Sequence, residues 1–152
     1  METLMQSMIN KPMKKIFLFS TLLISIATNA QSILGKWKSF NEKTNKEAAI
    51  IEIFQEDGQF YGKLIQLLNP IAKGAVCYKC KGKNKDKPIQ GLVIINGLKK
   101  DGDEWSGGNV LDPKNGKEYK CYITLQDKNT MKLRGYIGFS LFGRTEYWYR
   151  EE

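Results

Sequence analysis

Histidine is absent from this chain of 152 residues. That gap removes the usual general base at neutral pH and the commonest metal ligand. A serine nucleophile elbow, a paired catalytic carboxylate motif and a phosphate-cradling glycine loop are also missing, so neither an enzyme nor a bound cofactor is expected. Cysteine is scarce, with only Cys77, Cys80 and Cys121. An odd count means that at least one thiol is free, pairs between molecules, or binds something. After residue 30 there is no apolar run long enough to span a bilayer and no helical periodicity of useful length.

What is present begins with a leader. Lys14 and Lys15 precede an apolar stretch from Ile16 to Ile26, and Thr28-Asn29-Ala30 follows with small or polar residues. That order matches a cleaved export signal. Met13 is the expected start, and no cysteine follows the cleavage region to carry a lipid. The expected mature protein starts near Gln31, occupies residues 31–152 as one domain, and is periplasmic or secreted.

Removing residues 1–30 takes away Lys11, Lys14, Lys15 and Glu2, which leaves 21 basic and 15 acidic residues. The excess favours anionic partners and says nothing about fold. Export makes nucleic acid an unexpected partner and leaves lipid head groups, polysaccharide or acidic peptides. A chain of this length buries roughly two-thirds of its unfolded surface and needs no disulfide to fold.

Eight strands are expected, at 34–40, 47–55, 59–68, 92–98, 104–111, 118–126, 131–137 and 144–150. Glu56-Asp57-Gly58, Lys100-Asp101-Gly102, Asp112 to Gly116 and Asp127-Lys128-Asn129 supply the turns. Tyr119, Cys121, Ile123 and Leu125 share one face of their strand, and Met131, Leu133 and Gly135 share one face of the next. Eight antiparallel strands tend to close, because closure removes unpaired edges. The fold class expected is therefore all-β, a single antiparallel barrel. Residues 69–90 resist strand assignment and form a Lys- and Cys-rich excursion.

Several features carry candidate roles. Gly35-Lys36-Trp37 opens the first strand, as in lipocalin-like barrels whose indole plugs the closed end beneath a late arginine. Arg150 is the first choice for that arginine and Arg134 the second. Cys77-Tyr78-Lys79-Cys80 is expected to be a structural disulfide. A redox pair or a metal site are the alternatives, and the latter would need Cys121 and a fourth ligand that the chain does not supply. Asp101, Asp103, Glu104 and Asp112 sit in hairpin turns that explain them without chemistry.

Gly35-Lys36-Trp37, Tyr61-Gly62-Lys63-Leu64, Trp105-Ser106-Gly107-Gly108, Asp112 through Tyr119, Leu133-Arg134-Gly135-Tyr136 and Leu141 through Arg150 together resemble domain-of-unknown-function family 2147 of exported bacterial proteins. The resemblance implies a small lipocalin-like (calycin) barrel. It implies no activity. Many members look acidic or polar in the 69–90 segment, where this chain carries cysteines and lysines.

The first expectation is a non-enzymatic periplasmic binding module for a small apolar or amphipathic ligand. Its barrel would be lined by Ile51, Ile53, Ile65, Cys121, Ile123 and Leu133, with Arg134, Arg144 or Tyr147 as polar contact. Gly107, Gly108 and Gly135 would permit sheet bending or close ligand approach. The second is an envelope interaction protein that meets an anionic surface through the lysine loop and Tyr122, Tyr136 and Trp148. A thiol redox role for Cys77 and Cys80 is the third.

Overall fold

A computed structural model describes residues 31–152 of the chain. The leader and the start expected at Met13 lie outside the described residues. Strands β1 (Gly35–Phe40), β2 (Glu47–Glu56), β3 (Gln59–Leu67), β4 (Val93–Asp101), β5 (Glu104–Asp112), β6 (Lys117–Leu125), β7 (Thr130–Tyr136) and β8 (Gly143–Arg150) follow one another in sequence. Each pairs antiparallel with the next, and β8 returns to β1, so the sheet is a closed barrel. The all-β, eight-strand expectation is met.

One strand is longer than its apolar pattern suggested. β4 runs on past Leu98 through Lys99 and Lys100 to Asp101, because these residues pair with Glu104, Trp105 and Ser106 of β5. Backbone pairing in a hairpin continues after the side chains turn polar.

Up-and-down connectivity sorts the loops onto two ends. One end carries the tight turns at 57–58, 102–103 and 126–129. The other carries the loops 41–46, 113–116 and 137–142 together with the long excursion between β3 and β4. The first end is shut. Trp37 is fully buried, its indole Nε1 donates to Ile33 O at 2.7 Å, and the Arg150 guanidinium carbon lies 4.2 Å from the centre of its ring. Arg150 also donates to Leu34 O and Ser32 O at 2.9 Å each and to Lys128 O at 2.8 Å. One side chain thus ties the segment before β1, the β6–β7 turn and β8 across the barrel floor, while Trp37 and Arg150 also pair across the closing seam.

Above this floor the interior is filled by inward residues. Ile53, Phe60, Leu98, Trp105, Ile123 and Met131 are buried in one cluster, with Phe60 edge-on to Trp105 at 6.2 Å. The register shift in β5 between Trp105 and Gly108 contains Gly107 at φ +81°, a conformation that lets the strand bend sharply here.

The 69–90 segment has an order of its own. Short 3₁₀ turns cover Pro70–Ala72 and Gly82–Asn84, and Val76 bridges Pro88. Cys77 and Cys80 form a disulfide, and both are buried. The turn they close sits on the β5–β6 turn, where Cys77 Sγ approaches Pro113 O at 3.4 Å. Gly116, at φ +71°, makes this contact possible, since a Cβ there would collide with the Lys79 carbonyl.

Truncating Trp37 to alanine is expected to cost about 3–5 kcal/mol in urea unfolding, as for a large buried aromatic. Arg150→Ala is expected to cost about 2–3 kcal/mol through its charge-assisted hydrogen bonds and ring contact, and Arg150→Lys should recover little of it. Arg150→Lys unfolding at the parent denaturant midpoint would contradict this account of the floor.

Candidate functional site: the open end of the barrel

The end opposite Trp37 is hollow. A cavity of about 1280 Å³ opens there to solvent. Its walls include Ala49, Ile51, Leu64, Leu67, Val110 and Leu133, with Gly135 packed beside Val110. These residues follow from period-2 alternation, since Ile51 pairs with Leu64 across β2–β3 and Gly135 lies beside Cys121 across β6–β7. The excursion and the loops 41–46, 113–116 and 137–142 form the rim.

Polar groups enter mainly from β8. Its inward face carries Arg144, Glu146 and Trp148, paired with Gly135, Leu133 and Met131 of β7. Trp148 Nε1 donates to Glu146 Oε2 at 3.1 Å, and Glu146 Oε1 pairs with Arg144 Nη2. Arg144 Nε reaches Glu42 Oε1 of the β1–β2 loop at 3.2 Å. Partial burial alone would lower the Arg144 pKa, but the Glu146 and Glu42 carboxylates outweigh it and raise the value. The guanidinium therefore stays cationic at the cavity mouth. Elsewhere around the wall Tyr119 Oη on β6 accepts from Asn115 Nδ2 at 2.9 Å, and Ser39 Oγ on β1 donates to Ala49 O at 3.3 Å.

Of the residues expected to line a ligand cavity, Ile51, Leu133 and Arg144 come together there. Ile53, Ile123 and Cys121 are buried, but not on the cavity wall. Ile65 is corrected to the outer face, because Phe60, Gly62 and Leu64 are the inward residues of β3. Tyr147 is also corrected, being 47% exposed between inward Glu146 and Trp148. Arg134 points outward and is not the floor arginine. It donates to Ser140 O at 2.7 Å, Leu141 O at 3.1 Å and Thr145 Oγ1 at 2.8 Å, which fixes the β7–β8 loop. Trp148, expected on the surface, is buried in the core, whereas Tyr122 and Tyr136 are half-buried with ring centres 6.3 Å apart.

The sequence reasoning missed Glu146, Leu64 and the hydrophobic tip at 137–142. A signal for the first was available. If Arg150 faces inward onto Trp37, alternation forces residues 148, 146 and 144 inward and 147 outward.

The thiols offer little to a substrate. Both disulfide sulfurs belong to buried residues, and Cys121 is 1% exposed with its thiol pushed up to about 12 by burial. Among the described residues no group of three His, Cys, Asp or Glu side chains is placed to hold a metal ion.

A closed eight-strand barrel, shut at one end by a Trp–Arg pair and hollow at the other, defines a lipocalin-like architecture. A solved structure described as "Protein HP1028 from the human pathogen Helicobacter pylori belongs to the lipocalin family" is similar to it. The TM-score is 0.70 at 18% identity, over 80% of this chain and 84% of that one. The chain belongs to the family described as "Uncharacterized protein conserved in bacteria (DUF2147)", whose model matches residues 35–150. No curated protein matches the sequence.

Cys121 yields a pH prediction. The unfolded thiol ionises near 9.0 and the folded one near 12. Between those values the unfolded state holds fewer protons, so stability declines as pH rises from about 9 toward 12. Cys121→Ala should decline less steeply over that interval in urea midpoints. An aromatic disulfide reagent at neutral pH should find no thiol in the folded protein and one per chain in denaturant. Equally steep decline in both proteins would contradict the burial assigned to Cys121.

Proposed function

We propose that this protein is a non-enzymatic binding module that holds a small amphipathic molecule in the open half of its barrel. The observation that carries the proposal is the cavity of about 1280 Å³ above a fully packed floor. A barrel built only for stability would be filled from end to end, since side chains in this space would remove its apolar walls from water. The wall chemistry selects the ligand class. Ile51, Leu64, Leu67, Val110 and Leu133 suit an apolar tail, and Arg144, Glu146 and Glu42 meet a polar end at the mouth.

The cellular place proposed is the periplasm or the exterior. Lys14, Lys15 and the Ile16–Ile26 run support it, and so does the Cys77–Cys80 disulfide, a bond that persists in oxidising compartments. The buried sulfurs favour binding over a thiol redox role.

A dansylated long-chain fatty acid is a suitable probe, since its fluorescence rises on leaving water. Saturable binding is expected, with about one probe per barrel. Ala49→Phe projects a ring into the cavity and should weaken binding at least tenfold without lowering the melting temperature by more than a few degrees. Arg144→Ala should weaken this anionic probe about tenfold and leave an uncharged analogue nearly unaffected. Unchanged probe affinity in a folded Ala49→Phe protein would defeat the proposal.

For export, the mass of protein recovered from the cell envelope is expected to correspond to a chain beginning near Gln31. Recovery only from the cytoplasm, with the leader intact, would count against it.

A further inference from the structure

The loop between β7 and β8, Ile137-Gly138-Phe139-Ser140-Leu141-Phe142, contains four large apolar side chains and no charge. Phe139 is 78% exposed, Leu141 83% and Phe142 74%. Beside the same mouth, Ile71 is 94% exposed on the Pro70–Ala72 turn, where Asn69 Oδ1 accepts from Ile71 N at 3.0 Å. Ile71, Ile137 and Phe142 all border the cavity opening. Large apolar side chains concentrated at one end of a molecule mark an interaction surface.

This tip is held in place. Phe142 N donates to Phe139 O at 3.0 Å and Ile137 N to Phe142 O at 3.1 Å. From the outer wall, Arg134 grips the carbonyls of Ser140 and Leu141. An arginine whose donors are spent on loop carbonyls fixes the direction in which the hydrophobic tip points. The fold thus presents these rings to the outside, where leaving them wet is unfavourable.

Charge identifies the occupant. The loops at the open end hold nine lysines, six of them in the excursion, against Glu42 and Asp86. All six excursion lysines, Lys73, Lys79, Lys81, Lys83, Lys85 and Lys87, are exposed. The closed end is opposite in sign, with Asp57, Asp103, Asp127, Glu151 and Glu152 against Lys128 and Arg150. The barrel is therefore polarised along its axis, positive where it is also greasy. An uncharged apolar tip surrounded by lysines fits a surface that is negative outside and hydrocarbon within.

We infer that the barrel docks mouth-first on an anionic lipid bilayer. Phe139, Leu141 and Phe142 enter the head-group region, and the excursion lysines lie against lipid phosphates. The acidic floor points away. This goes beyond the ligand proposal and stands whether or not the cavity holds a lipid. If both hold, the mouth faces the phase from which an amphipathic ligand would be drawn.

Vesicle co-sedimentation tests it, with parent and variants sharing the same N-terminus. Binding to vesicles containing about 30% phosphatidylglycerol should exceed binding to pure phosphatidylcholine at least tenfold, and about 0.5 M salt should remove most of that difference. Each lysine near the surface contributes about fivefold in affinity, so Lys81→Glu with Lys83→Glu should weaken binding more than tenfold. Phe139→Ser with Leu141→Ser, two exposed positions off the cavity wall, should lower it at least tenfold while melting temperature and fatty-acid uptake stay near those of the parent. Failure of the parent to prefer anionic vesicles would overturn the proposal, as would parent-like binding by the folded serine variant. So would a parent dimer that the serine substitutions convert to monomer, since a second copy would then be the occupant.

Discussion

The contact between Arg150 and Trp37 is the constraint on which the rest of this barrel depends. It joins the last strand to the first across the closing seam and ties down the backbone of residues 32–34 and 128. A barrel has to close in hydrogen bonds and also in volume at its ends, and an indole under a guanidinium does both. Because the floor is fixed by two side chains that gather backbone from distant parts of the chain, the other end need not contribute to closure. That asymmetry leaves room for a cavity.

From the floor upward the interior changes character by steps. Buried aromatic and aliphatic side chains fill the lower half, and Cys121 lies among them as an inert buried thiol. Higher up, Ala49 and the smaller aliphatics leave the lumen open, and the β8 row turns from Trp148 to Glu146 to Arg144. The same strand therefore carries the floor arginine, a core tryptophan and the charged pair at the mouth. Its alternation couples stability to site geometry, because a one-residue slip would expose Trp148 and turn the charges outward.

Much of this was legible in the sequence. Turn residues at hairpin spacing marked eight strands, and Gly35-Lys36-Trp37 with Arg150 marked the end where the barrel shuts. The lining was read less well, because several strands are apolar on both faces. Inward Leu64 and outward Ile65 of β3 look alike in composition, and only the pairing of Leu64 with Ile51 distinguishes them. Tyr147 and Trp148 posed the same difficulty, which the inward direction of Arg150 resolves. Arg134 suggested a ligand contact by its charge, but its role depends on loop carbonyls contributed by residues 140 and 141 that no side-chain pattern encodes. The excursion gave its charge and its cysteines in the sequence, whereas its seat on the β5–β6 turn rests on the missing Cβ of Gly116.

The measurement that tests the central claim most directly is native mass spectrometry of protein purified from the cells that make it, followed by solvent extraction of whatever it carries. The account predicts a reproducible added mass, lost on denaturation and identified as an amphipathic molecule small enough for the cavity. An unadorned protein mass, with no amphipathic compound recovered from the extract, would contradict it.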